Sequence, residues 1–195
     1  METKDKLIRC ARDEFAEKGY MKASLRSICN KADVTTGALY FFFEDKDDLF
    51  RTVVGEALEE LEKVMFGHYS REDEADYARE QDDDDRQTTQ NMMRVMYRYR
   101  TEFDIILTKA QGSSLENIVD RFVAVTREHH IGIADKYSKG KWKREKTEML
   151  MDWMARTVVD AFIYAFSHFE NEEDAVNCVT EIGAFIRKGW FSTFV

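Results

Sequence analysis

Residues 24–46 read Ser24-Leu25-Arg26-Ser27-Ile28-Cys29-Asn30-Lys31-Ala32-Asp33-Val34-Thr35-Thr36-Gly37-Ala38-Leu39-Tyr40-Phe41-Phe42-Phe43-Glu44-Asp45-Lys46. The stretch reads as two short helices joined by a tight turn. Ser24 is an N-cap: its hydroxyl oxygen accepts from a free backbone N–H of the first turn. Leu25, Ile28, Cys29 and Ala32 recur at helical spacing and give the first helix one apolar face. Asp33 tolerates the left-handed geometry that stops a helix. Thr35 caps a second helix of about two turns. Leu39 and Phe43, four apart, anchor it to a core, and Tyr40 points outward.

This is the pattern of a helix-turn-helix. Thr36, Gly37 and Ala38 open the second helix and are small. A helix whose N-terminus enters a DNA major groove must let its backbone come close, and small side chains permit that. Upstream, a helix is expected from about Lys4 to Lys18, with Leu7, Ile8, Ala11 and Phe15 as its core stripe and Gly19 as its stop. Lys4, Lys6 and Arg9 lie on its other side, as a solvated face or as a phosphate contact.

The residues Ser24…Ile28-Cys29…Ala32-Asp33-Val34-Thr35-Thr36-Gly37-Ala38-Leu39-Tyr40…Phe43…Lys46, with Ala11 to Tyr20 upstream, resemble the DNA-binding half of the TetR family of bacterial transcriptional regulators. The resemblance covers roughly the first quarter of the chain. Three positions depart from the family pattern. Asp33 replaces the turn glycine, Ala23 a frequent threonine, and Phe42 the usual histidine, so one polar group near the DNA backbone is missing.

The whole chain has 195 residues, no proline and nine glycines. Nothing interrupts long helices, and alternating β-branched runs are absent, so the class is all-α. Net charge is −9, unevenly spread. Residues 1–46 carry nine Lys/Arg and eight Asp/Glu, near +1, and the remainder is near −10. Sequence-independent DNA affinity, which comes from phosphate neutralisation, is therefore expected to be modest. Cys10, Cys29 and Cys178 are read as buried small hydrophobes in a reducing compartment, with no metal spacing among them. No signal peptide and no apolar run of about 20 residues is visible, so a soluble, cytoplasmic protein is expected.

Asp45 caps helix 4, expected from Lys46 to about His68, with Leu49, Phe50, Val53, Val54, Ala57, Leu58, Leu61, Val64 and Met65 at helical spacing. Residues 70–86 hold nine acids against three bases and read as a solvated loop. A divalent-cation site at Asp82–Asp85 is the sharp alternative, but four consecutive carboxylates point in different directions and lack a ligand pattern. Helix 5 is expected to end near Arg100. A short helix 6 carries Phe103, Ile106, Leu107 and Ala110, and Gly112 closes it. Ser114 is expected to cap helix 7, with Leu115, Ile118, Val119, Phe122, Val123 and Ile133 inward. After a basic turn, Lys139-Gly140-Lys141, helix 8 runs from about Trp142 to His168 and helix 9 from about Glu172 to Phe191. Both are apolar on more than one side, and large exposed apolar patches mark interfaces.

The expected architecture is thus all-α with about nine helices: a three-helix helix-turn-helix domain, residues 1–46, and a helical ligand-binding and dimerisation domain, residues 47–195. The resemblance implies a regulator that binds a palindromic double-stranded DNA operator as a homodimer through helices 8 and 9, and that binds a small-molecule effector. Helix 4 is long enough to leave the DNA-binding domain, so its movement is the expected link from effector to recognition helices. The rival is a helical binding module that kept the fold without operator binding. DNA contacts are expected from Arg26, Thr35, Thr36, Gly37, Ala38, Tyr40 and Lys46. Arg26 reads guanine, clamps a phosphate, or pairs with a nearby acid on the surface. Tyr40 and Lys46 match the family's backbone-contacting pair. The resemblance puts the effector between helices 5 and 8, near Met93, Met96, Tyr97, Phe103, Leu107, Phe122, Met149 and Trp153, a stripe that reads equally as plain core. His129 and His130 are polar partners for a ligand, or surface or satisfied core histidines. No cofactor or metal is expected, and no nucleophile–base set or phosphate-cradling glycine loop is visible, so an enzyme is not expected.

Overall fold

A computed structural model describes residues 2–74, 82–138 and 142–192. Among the described residues the elements are all helices: α1 Glu2–Lys22, α2 Leu25–Ala32, α3 Thr36–Phe42, α4 Lys46–Glu74, α5 Asp82–Arg98, α6 Arg100–Thr108, α7 Ile118–Ser138, α8 Arg144–His168 and α9 Glu172–Ser192. The all-α class holds. None of these helices is long and apolar enough to cross a membrane. The chain divides into two compact units, Met1–Glu60 with Arg98–Ile118, and Leu61–Tyr97 with Val119–Val195. The expected boundary at residue 46 falls inside the first unit.

The first unit is built on local capping. The Ser24 hydroxyl oxygen accepts from Ser27 N at 3.4 Å, and Thr35 Oγ1 from Ala38 N at 3.2 Å. Asp33 ends α2 in the left-handed region at φ 55°. Asp45 Oδ1 accepts from Asp48 N at 2.8 Å, while Asp48 Oδ2 accepts from Glu44 N at 3.1 Å, so the entry to α4 is capped reciprocally. Gly19 has φ 72°, open to it because it lacks Cβ. The helical trace resumes beyond that kink for one more turn, and Tyr20 N donates instead to Lys109 O at 2.8 Å. Leu7, Ala11, Phe15, Ile28, Cys29, Leu39, Phe43, Leu49 and Phe50 are buried together. Phe15 meets Phe50 edge-on at 5.0 Å. Each of these two rings, fully buried, contributes about 1.5–3 kcal/mol through area removed from water. Ile8, expected in this stripe, is half-buried.

Several expectations are corrected. The acidic stretch is helical where described: α4 continues to Glu74, and α5 starts at Asp82. Carboxylates in the first turn of a helix complement its positive end, so the aspartate run favours a helix start rather than a loop. Residues 75–81 and the basic turn at 139–141 lie outside the described residues. Ser114 does not cap α7, which begins at Ile118. Residues before it form turns held by Ser113, whose Oγ accepts from Leu115 N at 3.1 Å and donates to Ala110 O at 2.6 Å. Gly112 sits there at φ 81°, with Met21 against the place a Cβ would occupy. Cys29 is buried, but Cys10 and Cys178 are only half-buried.

In the second unit α8 packs on α9. The buried stripe of α8 is Thr147, Met151, Ala155, Ala161, Ala165 and Phe166. Met149 and Trp153 fall two residues out of that register and are 67% and 64% exposed. Phe185 of α9 is 80% exposed.

Candidate nucleic-acid interface

The α2–turn–α3 unit is fixed from beneath and open above. Glu14 of α1 is fully buried, and its carboxylate accepts from Lys18 Nζ at 2.7 Å, Lys31 Nζ at 2.7 Å and Ser27 Oγ at 2.9 Å. Burial pushes this carboxyl up, but the three hydrogen bonds together outweigh it and bring it down to about 2. One ion therefore ties α1 to both ends of α2. Sequence reading missed it. The available signal was an acid set among Ala11, Phe15 and Lys18 on the apolar side of α1.

Above this base, Arg26, Thr35, Thr36, Gly37 and Tyr40 are all exposed, and Ala38 is half-buried. They share the outer face of α2, the turn and the front of α3. A Cβ on Gly37 would meet only Thr35 Oγ1, at 3.8 Å, so the backbone there lies bare. No acid stands within ion-pair distance of Arg26 among the described residues. Phe41, at the end of α3, is 82% exposed and was not anticipated. Phe42, in place of the family's histidine, is half-buried and lies edge-on to Phe41 at 5.0 Å.

Lys46 is placed differently from the other candidates. Its Nζ donates to Tyr20 O at 2.8 Å and lies 3.4 Å from Ala23 O and 3.5 Å from Met21 O. It also sits 4.4 Å above the Tyr20 ring. The ammonium satisfies carbonyls left open at the end of α1.

Residues 7–53 match the family model described as bacterial regulatory proteins of the tetR family. The N-terminal domain belongs to the TetR family. The HTH-type transcriptional repressor BepR of Brucella suis is 39% identical over 64 residues, 33% of this chain and 31% of that protein. The transcriptional regulator UidR of Escherichia coli is 29% identical over 63 residues, 32% of this chain and 31% of that protein. The match thus spans about a third of the length of these curated relatives. Two solved structures share the fold across nearly the whole chain. A TetR-like regulator from Rhodococcus has TM-score 0.65 at 14% identity, covering 96% of this chain and 95% of its own. A regulator from Aquifex aeolicus has TM-score 0.62 at 18% identity, covering 94% and 99%. The TetR fold therefore extends over both units.

The expected effector residues fall in both units. Phe103 is buried and Leu107 half-buried in the first unit. In the second, Met93 and Met96 are buried and Phe122 is half-buried. Tyr97 is half-buried there, and its hydroxyl donates to Phe169 O at 2.8 Å. Met149 borders an open groove of about 460 Å³ with Asp120, Val123, Arg127, Asp152 and Arg156, a set that sequence reading did not pick out. His129 stacks on Tyr69 with ring centres 4.0 Å apart. Burial, with His129 beside it, holds the His130 ring down at about 4.

Proposed function

We propose that this protein is a ligand-responsive transcriptional repressor that binds a palindromic operator as a homodimer. The observation that carries the reading is the joint exposure of Arg26, Thr35, Thr36, Gly37 and Tyr40 on a helix-turn-helix whose underside is buried. A polar, small-fronted helix presented in this way suits the major groove. Repression is the sign carried by the name of BepR. Met149, Trp153 and Tyr164 on α8 and Phe185 on α9 are exposed large apolar side chains, which supports pairing of two chains through these helices. A two-fold dimer sets two recognition helices against two half-sites. A small molecule held in the helical part would act through α4, which runs unbroken from Lys46 to Glu74. Such an effector must prefer the non-binding spacing of the recognition helices, since equal affinity for both states shifts nothing.

Fluorescence anisotropy tests the reading, with DNA from upstream of the protein's own gene against scrambled DNA at two salt concentrations. Discriminating binding that weakens with salt is expected. Equally feeble binding to both, repeated on a genome-wide pool of fragments, would overturn the reading in favour of a helical module without an operator.

A further inference from the structure

In the second unit, α4, α5, α7 and α9 bring together groups that the DNA-binding reading does not use. His68 and Glu72 come from α4, Asp84 and Asp85 from the first turn of α5, His129 from α7 and Arg187 from α9. Single atoms of His68, Asp84 and Asp85 lie within 4.8 Å of one another. His68 Nδ1 is 3.0 Å from Asp84 Oδ2, and Arg71 Nε donates to Asp84 Oδ1 at 2.9 Å. Thr88 Oγ1, which accepts from Arg71 Nη2, stands 3.2 Å from the same ring nitrogen. In the tautomer that donates from Nδ1 to Asp84, the lone pair of His68 lies on Nε2.

That lone pair points at two carboxylates. Nε2 is 3.5 Å from Glu72 Oε2 and 3.6 Å from Asp85 Oδ1. Asp85 Oδ2 is taken by Arg187 Nη2 at 2.7 Å, whereas its Oδ1 is buried and accepts no hydrogen bond from the described residues. In that tautomer a bare nitrogen lone pair faces carboxylate oxygens, which is repulsive unless a proton or a metal ion lies between them, and both separations exceed hydrogen-bonding distance. The two separations lie at or slightly above the edge of a tetrahedron around a cation, about 3.3–3.5 Å for bonds of about 2.0–2.1 Å. A carboxylate behind the imidazole, here Asp84, is the outer partner that metal-binding histidines use. Glu72 is steadied in turn by His129 Nε2 at 2.7 Å. The acidic run alone gave no ligand pattern. Folding selects two of its members and adds an imidazole.

We propose that His68 Nε2, Glu72 Oε2 and Asp85 Oδ1 bind one divalent cation of the zinc class, with Asp84 orienting His68. One imidazole with two carboxylates suits a borderline transition metal better than magnesium or calcium, which take oxygen donors alone. Three protein donors leave a fourth position for water or another small donor. The site is independent of the DNA-binding reading, and its test uses no DNA.

Full-length protein stripped with chelator is titrated with zinc chloride against a chromophoric chelator. One zinc per chain is expected. His68→Ala and Asp85→Asn, each shown to be folded by circular dichroism, should lose at least tenfold in affinity, and Asp84→Asn about 10–100-fold. X-ray absorption of the zinc-loaded wild-type protein should show only nitrogen and oxygen neighbours at about 2.0–2.1 Å. Absence of stoichiometric binding overturns the proposal, as does affinity unchanged in folded His68→Ala. A sulfur shell, which would place the ion on Cys10, Cys29 or Cys178, overturns it as well.

Discussion

Lys46 Nζ lies 2.8 Å from the main-chain oxygen of Tyr20, 26 residues earlier in the chain. The start of α4 is thereby fastened to the end of α1, and α3 is held in the loop between them. The side chain that the family resemblance assigns to the DNA backbone thus has a second task inside the domain. A charge-assisted hydrogen bond contributes about 1.5–3 kcal/mol, less where water reaches the ammonium. Lys46→Ala should lower the unfolding free energy by about 1–2 kcal/mol in urea denaturation followed by circular dichroism. Unchanged stability would confine Lys46 to an external contact.

Glu14 makes stability depend on acid. Its carboxyl is depressed from an ordinary 4.5 to about 2, so it stabilises the fold fully above pH 4.5 and loses that contribution as pH falls toward 2. The shift alone corresponds to about 3 kcal/mol, and with Lys18 and Lys31 partly in water about 2 kcal/mol is expected. Urea titrations at pH 7, 4 and 3 should show wild type losing stability over this range. Glu14→Gln should start lower at pH 7 and change less.

Gly37 separates DNA approach from folding. The space around it is open, and alanine-like residues are better helix formers than glycine. Gly37→Leu should keep or slightly raise the melting temperature while weakening operator binding by more than about tenfold, because a side chain there holds the backbone off the groove. A parallel loss of melting temperature would point to misfolding instead.

Arg26 and Tyr40 should behave differently from each other. Tyr40→Phe removes a hydroxyl that the proposed reading sets against a phosphate, and should weaken all DNA sequences about equally in anisotropy. Arg26→Ala should cost about 1–3 kcal/mol and relax preference at one base pair if the guanidinium reads guanine. A uniform loss across single-base variants would place Arg26 on the backbone.

The proposed pairing of two chains is tested at Trp153 and Phe185. Trp153→Glu combined with Phe185→Glu should shift sedimentation velocity toward the monomer. Because both rings are largely exposed within one chain, the helical content should stay unchanged. An unaltered sedimentation coefficient would move the interface elsewhere.

The parts legible in the sequence were local ones. Ser24, Asp33, Thr35 and Asp45 cap through bonds to groups within four residues, so their positions follow from residue type and spacing. The stripe Ile28, Cys29, Leu39 and Phe43 is likewise a periodicity, and it is buried as expected. The outward face of α3 follows from that inward one. Helix ends in the acidic stretch were harder, because composition there argues for solvent while the aspartates also complement a helix start.

The sequence by itself determined the helical class, the helix-turn-helix and the residues it offers outward, since these rest on turn geometry and a period of 3.6. Tertiary structure alone decided where long side chains go. Lys46 turns to carbonyls of α1, Glu14 becomes a buried ion between two lysines, and Met149 and Trp153 rotate outward because Met151 and Ala155 take the buried side of α8. It also brought His68 to Asp84 and Asp85 across 16 residues and more. Such meetings depend on which helix faces which, and that is settled by packing over the whole unit rather than by any spacing along the chain.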